Sequence, residues 1–221
     1  MKAALLLDFD GLILDTETAI YEAWAVIYRQ HGVEPIDRAT WAASLGRNDD
    51  DPLDIDPRAR LAELVGPDLD VDEVDRERRA RRDELLAASP IRPGIEDWID
   101  AARGRGIPVA VCSSSPTIWV ESLLAERGLR DRVDHVSCAG DGVPGKPDPA
   151  VYLRACAAFG VDPARTVAAD DTPIGTQAAK AAGAHCIAVS AGMTEGLEYP
   201  HADLVVPSLA AIDAGAVLGT R

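Results

Sequence analysis

A chain of 221 residues, 47% of them hydrophobic, is long enough to bury a sizeable core as one large domain or two small ones. Its 37 Asp and Glu against 22 Lys and Arg leave a formal charge of −15, which argues against nucleic acid or an anionic membrane as partner. No apolar run reaches the ~18 residues of a membrane span, no basic start with a cleavage site precedes the first strand, and Cys112, Cys138, Cys156 and Cys186 form no CxxC or Cys/His cluster, so the expectation is a cytoplasmic protein with buried free thiols.

Residues 3–7 are an apolar run that reads as a strand buried on both faces. It ends in Asp8-Phe9-Asp10-Gly11. If the extended backbone persists, residues two apart share a face, which puts Asp8 and Asp10 together at the strand's carboxyl end. Open parallel sheets bind their ligands at that end. Two carboxylates so close need a cation or a shared proton. A calcium loop of the EF-hand type fails on spacing: counted from Asp8, Gly11 is fourth and Ala19 is twelfth, where that loop needs glycine sixth and glutamate twelfth.

Asp15 or Thr16 then caps a helix running to about residue 31, with Ile20, Ala23, Trp24 and Ile27 on one face and Gly32 as its stop. Further helical patterns cover 37–45, 57–65 and 71–87, with no strand alternation among them. Residues 15–89 therefore read as a helical insert, and 1–14 with 90–221 as the core that it interrupts. Arg76, Arg78, Arg79, Arg81 and Arg82, interleaved with Asp75, Glu77, Asp83 and Glu84, read as a solvated helix face. The acidic run 48–56 reads as a solvated loop rather than a second metal site.

After Ser89-Pro90-Ile91-Arg92-Pro93-Gly94, helices over 95–103, 116–127, 149–159 and 173–182 alternate with strands over 107–112, 133–138, 166–169, 185–189 and 204–206. That alternation predicts an α/β fold with a doubly wound parallel sheet. Three of its strand ends carry chemistry. The second leads into Ser113-Ser114-Ser115-Pro116, where Ser115 and Pro116 read as N-cap and first residue of a helix whose amino end suits a phosphate. The third leads into Gly140 to Pro147, which fits GxxxxGK, but a P-loop needs a hydroxyl after its lysine and this chain has Pro147. The fourth ends in Asp170-Asp171-Thr172-Pro173, and a turn must bring both carboxylates to one ion.

These segments, DxDG with the DTE that follows it, the serines after the second strand, GKPDP and the acidic pair, resemble the four motifs of the haloacid-dehalogenase-like superfamily, in the branch that holds sugar-phosphate phosphatases and β-phosphoglucomutase. The resemblance covers nearly the whole chain. It implies a Rossmann-like core with a helical cap inserted after the first motif, the cap closing over the site and choosing the substrate. It implies Asp8 as a nucleophile that forms an aspartyl-phosphate, Asp10 as general acid and base, and Ser113, Ser114 and Lys146 as phosphate-binding. It implies Mg²⁺ held by Asp8, the Asp10 backbone carbonyl and the pair Asp170 and Asp171. The branch more often carries glutamate where this chain has Asp170, one methylene shorter, so Asp171 is the firmer ligand. Glu17 and Arg47 are candidate substrate contacts in the cap.

The function so implied is a Mg²⁺-dependent phosphatase of a small phosphorylated metabolite, a sugar phosphate, in a monomer or weak dimer. A β-phosphoglucomutase-like shuttle is the alternative, but its cap histidine and arginine correspond to Ile20 and Asp49, with Arg47 nearby as a substitute. Dehalogenases lack a second acid like Asp10. A catalytically inactive binding protein is the lesser alternative, opposed by the intact Asp8, Asp10, Ser113, Lys146 and Asp171.

Overall fold

The computed structural model describes residues 2–45, 55–140 and 142–219. The described chain divides into two compact units, residues 1–14 with 91–221 and residues 15–90. The first carries six strands: β1 (Ala4–Leu7), β2 (Val109–Ser113), β3 (His135–Cys138), β4 (Thr166–Asp170), β5 (His185–Val189) and β6 (Leu204–Val206). They form one sheet in the order β3-β2-β1-β4-β5-β6, parallel throughout.

The chain builds outward from β1 through β2 to β3, then returns to the other side of β1 with β4. Strand order thus reverses at β1, and the carboxyl ends of β1, β2 and β4 open onto one crevice. Alternation along the strands decides which helix covers which face. Leu5, Leu7, Val109, Val111, Val167 and Ala169 join one apolar cluster with α5 (Ile95–Arg103), α6 (Thr117–Glu126) and the short α9 (Ala214–Leu218). Ala4, Leu6, Ala110, Cys112, Ala168 and Cys186 join the other, with α7 (Ala150–Phe159) and α8 (Pro173–Ala182). Trp98, at 1% exposure, anchors the first cluster and satisfies its indole by donating to the Leu209 carbonyl at 3.0 Å.

The second unit holds α1 (Thr16–Gln30), α2 (Arg38–Ser44), α3 (Pro57–Val65) and α4 (Val71–Ala88), with no strand among its described residues. Each helix starts the same way. Asp15, Asp37, Asp56 and Asp70 accept a backbone N–H from the first turn of α1, α2, α3 and α4, at 3.2, 2.9, 2.9 and 3.0 Å. Inside the unit the Arg78 guanidinium lies 5.2 Å from the centre of the Trp24 ring. Its side chain is only 14% exposed, so one member of the arginine row is packed rather than solvated.

Four strand edges differ from the sequence expectation, one of them the end of β2 at Ser113 instead of residue 112. Strand β2 begins at Val109 instead of 107, because Pro108 has no N–H for the ladder and contributes only its carbonyl, which accepts from Leu5 at 2.9 Å. Strand β3 begins at His135, since a 3₁₀ turn over Arg130–Arg132 precedes it and the Asp134 carboxylate accepts the Val109 N–H at 2.8 Å. Strand β4 runs one residue further and takes in Asp170. All four cysteines are buried and free, and burial pushes the Cys186 thiol up to about 12. No described helix is long and apolar enough to cross a membrane.

Candidate active site

Asp8 follows β1 directly, and its N–H extends the pairing with β4 by donating to the Ala169 carbonyl at 2.9 Å. The backbone then folds tightly back: Ile13 and Leu14 donate to the Phe9 carbonyl at 2.9 and 3.3 Å, and Gly11 donates to Leu14 at 2.8 Å. Gly11 sits at φ +83°, and a Cβ there would lie 2.0 Å from Asp171 Oδ2. Only glycine lets the Asp171 carboxylate come this close to the turn.

Asp170 closes β4 and Asp171 opens the turn into α8. Thr172 caps α8 by accepting the Gly175 N–H at 2.9 Å, while its own N–H and hydroxyl donate to Asp170 Oδ1 at 3.0 and 2.9 Å. A Cβ on Gly175 would lie 2.0 Å from the Asp170 oxygens. On the other oxygen, Oδ2, Asp170 accepts from Lys146 Nζ at 2.7 Å and from the Tyr152 hydroxyl at 2.6 Å. Lys146 Nζ also donates to Asp8 Oδ1. The Tyr199 hydroxyl donates to the Asp171 carbonyl at 2.7 Å, and the Thr194 hydroxyl lies 3.5 Å from Asp171 Oδ2.

Oxygens of Asp8, Asp170 and Asp171 all lie within 4.8 Å of one another, and all three residues are buried. Set against one ammonium, the three carboxylates would leave this pocket two negative charges in excess once all were ionised. Burial pushes the Asp8 carboxyl up to about 8, with Lys146 pulling it back and Asp170 adding to the rise. Burial alone would lower Lys146, but Asp170 and Asp8 more than offset it and hold the ammonium above its ordinary value. An all-oxygen donor set with uncompensated negative charge suits a metal ion, and these residues could hold one.

Asp10 is held from the opposite direction. Its Oδ2 accepts from the Ser115 hydroxyl at 2.6 Å and from the Ser113 hydroxyl at 3.4 Å, and its Oδ1 from the Trp119 indole at 2.9 Å. The sequence places Ser115 as the cap of the next helix. Instead α6 starts at Thr117 behind Pro116 with no side-chain cap, because the Ser115 hydroxyl goes to Asp10, and a bond to a carboxylate is the stronger one. Ser113 accepts the Ser115 N–H at 2.9 Å. The Ser114 hydroxyl accepts the Lys146 N–H at 3.0 Å and so anchors the lysine loop to the end of β2. The Lys146–Pro147 peptide is cis, and the next helix begins only at Ala150.

Asp8, Asp10, Ser113, Ser114, Lys146, Asp170 and Asp171 thus meet at the carboxyl ends of β1, β2 and β4. Glu17 lies in the first turn of α1, in the other unit, and Arg47 lies outside the described residues, as does Asp49. Sequence reasoning missed Tyr152, Trp119 and Ser115. The first two carry the usual pattern of core aromatics, and the signal available was only that a buried hydroxyl or indole needs a polar partner.

Residues 2–183 match a family model described as haloacid dehalogenase-like hydrolase. The chain is 35% identical over 219 residues to YhcW of Bacillus subtilis (strain 168), a phosphatase by provisional name, covering 99% of this chain and 97% of that one. It is 32% identical over 191 residues to the fructose-1-phosphate phosphatase YqaB of Escherichia coli (strain K12), covering 85% and 96%. Among solved structures, CbbY from Rhodobacter sphaeroides in complex with phosphate aligns with a TM-score of 0.71 at 28% identity, covering 95% of this chain and 96% of that one.

Proposed function

This chain belongs to the haloacid dehalogenase-like hydrolases, and we propose that it is a Mg²⁺-dependent phosphatase acting on a small phosphorylated metabolite, a sugar phosphate, through an aspartyl-phosphate on Asp8. The observation that carries the reading is the buried ammonium of Lys146 between Asp8 and Asp170, beside a third carboxylate, Asp171. A phosphate needs a cationic clamp, and an attacking carboxylate needs its repulsion from that phosphate offset. The sugar-phosphate class is supported by the similarity to a fructose-1-phosphate phosphatase.

Asp8 and Asp171 would hold the ion with the Asp10 carbonyl, and the ion supplies positive charge that lets an anionic nucleophile approach an anionic phosphate. Asp170, with Thr172, Tyr152 and Lys146 all donating to it, serves the site by holding Lys146. One Asp8 oxygen attacks phosphorus as the bond from phosphorus to the leaving oxygen breaks, and Asp10 gives that oxygen its proton. Asp10, now a carboxylate, takes a proton from the water that attacks the aspartyl-phosphate. The bond between phosphorus and Asp8 breaks, releasing inorganic phosphate and restoring both aspartates. Lys146 and Ser113 engage phosphate oxygens throughout.

A panel of sugar phosphates assayed with Mg²⁺ tests the reading. Release of inorganic phosphate is expected, abolished by excess chelator and restored by Mg²⁺; full activity in chelator would overturn the metal assignment. Supplying β-glucose 1-phosphate with a catalytic amount of its bisphosphate tests the mutase alternative. Glucose 6-phosphate forming much faster than inorganic phosphate would replace hydrolysis with phosphate shuttling.

A further inference from the structure

A carboxylate turns easily about its last side-chain bond, because the torsion from sp³ to sp² carbon is broad and nearly two-fold. Asp10 does not have that freedom here. Trp119 Nε1 donates to Oδ1 at 2.9 Å while the Ser115 hydroxyl donates to Oδ2 at 2.6 Å, so the two oxygens are gripped from opposite edges. Both donors sit on rigid supports. Trp119 lies in the first turn of α6, packs against the larger apolar cluster and donates its backbone N–H to the Pro116 carbonyl at 3.0 Å. Ser115 is tied back to β2 through the bond from its N–H to the Ser113 hydroxyl at 2.9 Å.

The two donors differ chemically. A hydroxyl can donate or accept, whereas an indole N–H only donates. Trp119 therefore identifies one Asp10 oxygen permanently as acceptor and fixes the plane of the group, leaving Oδ2 on the side of Ser113 and Ser115. Packing alone asks of an indole only that it find some acceptor. Here it finds the one side chain that the proposed reaction uses to handle protons.

We infer that Trp119 is a positioning residue for Asp10, its indole N–H holding the carboxylate in the rotation from which it serves the leaving oxygen. The inference rests on the phosphatase reading. A structural filler and a positioning residue differ in how a variant treats leaving groups. An alkyl phosphate needs a proton on its departing oxygen, whereas p-nitrophenolate leaves without one. The value of kcat/KM reports the steps through formation of the aspartyl-phosphate, so it isolates the step in which that proton moves.

The test compares wild type with Trp119→Phe, which keeps an aromatic ring and loses the N–H, on fructose 1-phosphate and on p-nitrophenyl phosphate, both with Mg²⁺. The expected result is a fall of at least about tenfold in kcat/KM for the alkyl phosphate, mostly in kcat, and less than about threefold for the aryl one. Ser115→Ala, which removes the opposite grip with little change in volume, should show the same selectivity and keeps the test alive if the tryptophan variant folds poorly. Equal losses on both substrates, or none on either, in folded variants would overturn the inference and leave the phosphatase reading standing. A wild-type protein that hydrolyses neither substrate would remove the reading and the inference together.

Discussion

Lys146 is the residue on which the charges at the site balance. It is 8% exposed and touches two buried carboxylates, and taking it away would strand them. Lys146→Met is expected to destabilise the metal-free protein by about 3–5 kcal/mol, the usual cost of breaking a buried ion pair from one side, as read by urea denaturation. Asp8 offers a sharper check. Its carboxyl is raised from an ordinary 3.8 to about 8 in the folded protein, so between those values the native state holds a proton that the unfolded chain has lost. Stability from this group is therefore complete below about pH 4, falls as pH rises toward 8, and levels off above it. In metal-free protein the melting temperature of wild type should fall more steeply over that window than that of Asp8→Asn, which cannot titrate there. Parallel curves would show that Asp8 is not the strained group, and the same variant should have no measurable turnover. Asp8, Asp10 and Asp171 stood out as acids at or just past strand ends, whereas Lys146 stood out only through the resemblance of GKPDP to a family motif. Trp119 and Ser115 were not legible, because their partner Asp10 lies 109 and 105 residues away in sequence and nothing local marks the pairing.

At the level of elements, the junctions carry more of the site than the elements do. Gly11 and Gly175 each leave room for a carboxylate that a methyl group would strike at 2.0 Å. Gly11 also has a left-handed backbone that resists any side chain. Gly11→Ala should cost more than about 1 kcal/mol of stability and weaken metal binding, measured by calorimetric titration; unaltered metal affinity would mean that Asp171 is not pinned against this turn. Asp70 tests the opposite kind of junction, exposed and remote from the chemistry. Losing its bond to the Glu73 N–H at 3.0 Å, Asp70→Ala should lower stability by about 0.5–2 kcal/mol with kcat unchanged. Helices α3, α5 and α8 and strands β5 and β6 have the bounds that periodicity predicts, because caps, glycines and prolines punctuate them. Of the edges that moved, the starts of β2 and β3 answer to local causes, Pro108 and the 3₁₀ turn over Arg130–Arg132, whereas the start of α6 answers to a partner distant in sequence, Asp10 taking the hydroxyl of Ser115.

For the molecule as a whole, the charge of −15 is not a uniform coating. Part of it caps helices, part pairs with arginine on α4, and three carboxylates are concentrated in one dry place. A cation that binds there only in the folded state must stabilise the fold, by about 2.7 kcal/mol at a hundredfold excess over Kd. Addition of Mg²⁺ should therefore raise the melting temperature of wild type, and the rise should vanish in Asp171→Asn, a readout independent of any substrate. The parallel sheet was legible from the alternation of apolar runs with helices. Its strand order was not, since that depends on where each crossover lands.

That order has a consequence for how the protein comes to be made. Strand β1 carries four fully buried apolar residues, yet its two neighbours are β2 and β4, which begin at Val109 and Thr166. A ribosome adding ~5–20 residues per second leaves β1 without a lateral partner for on the order of ten seconds, its edges open and its leucines wet. Asp8 at its end can meet Lys146, Asp170 and Asp171 only after synthesis has passed all three. Until then the growing chain displays a short, sticky, unpaired segment, the kind of stretch that nascent-chain chaperones exist to shield.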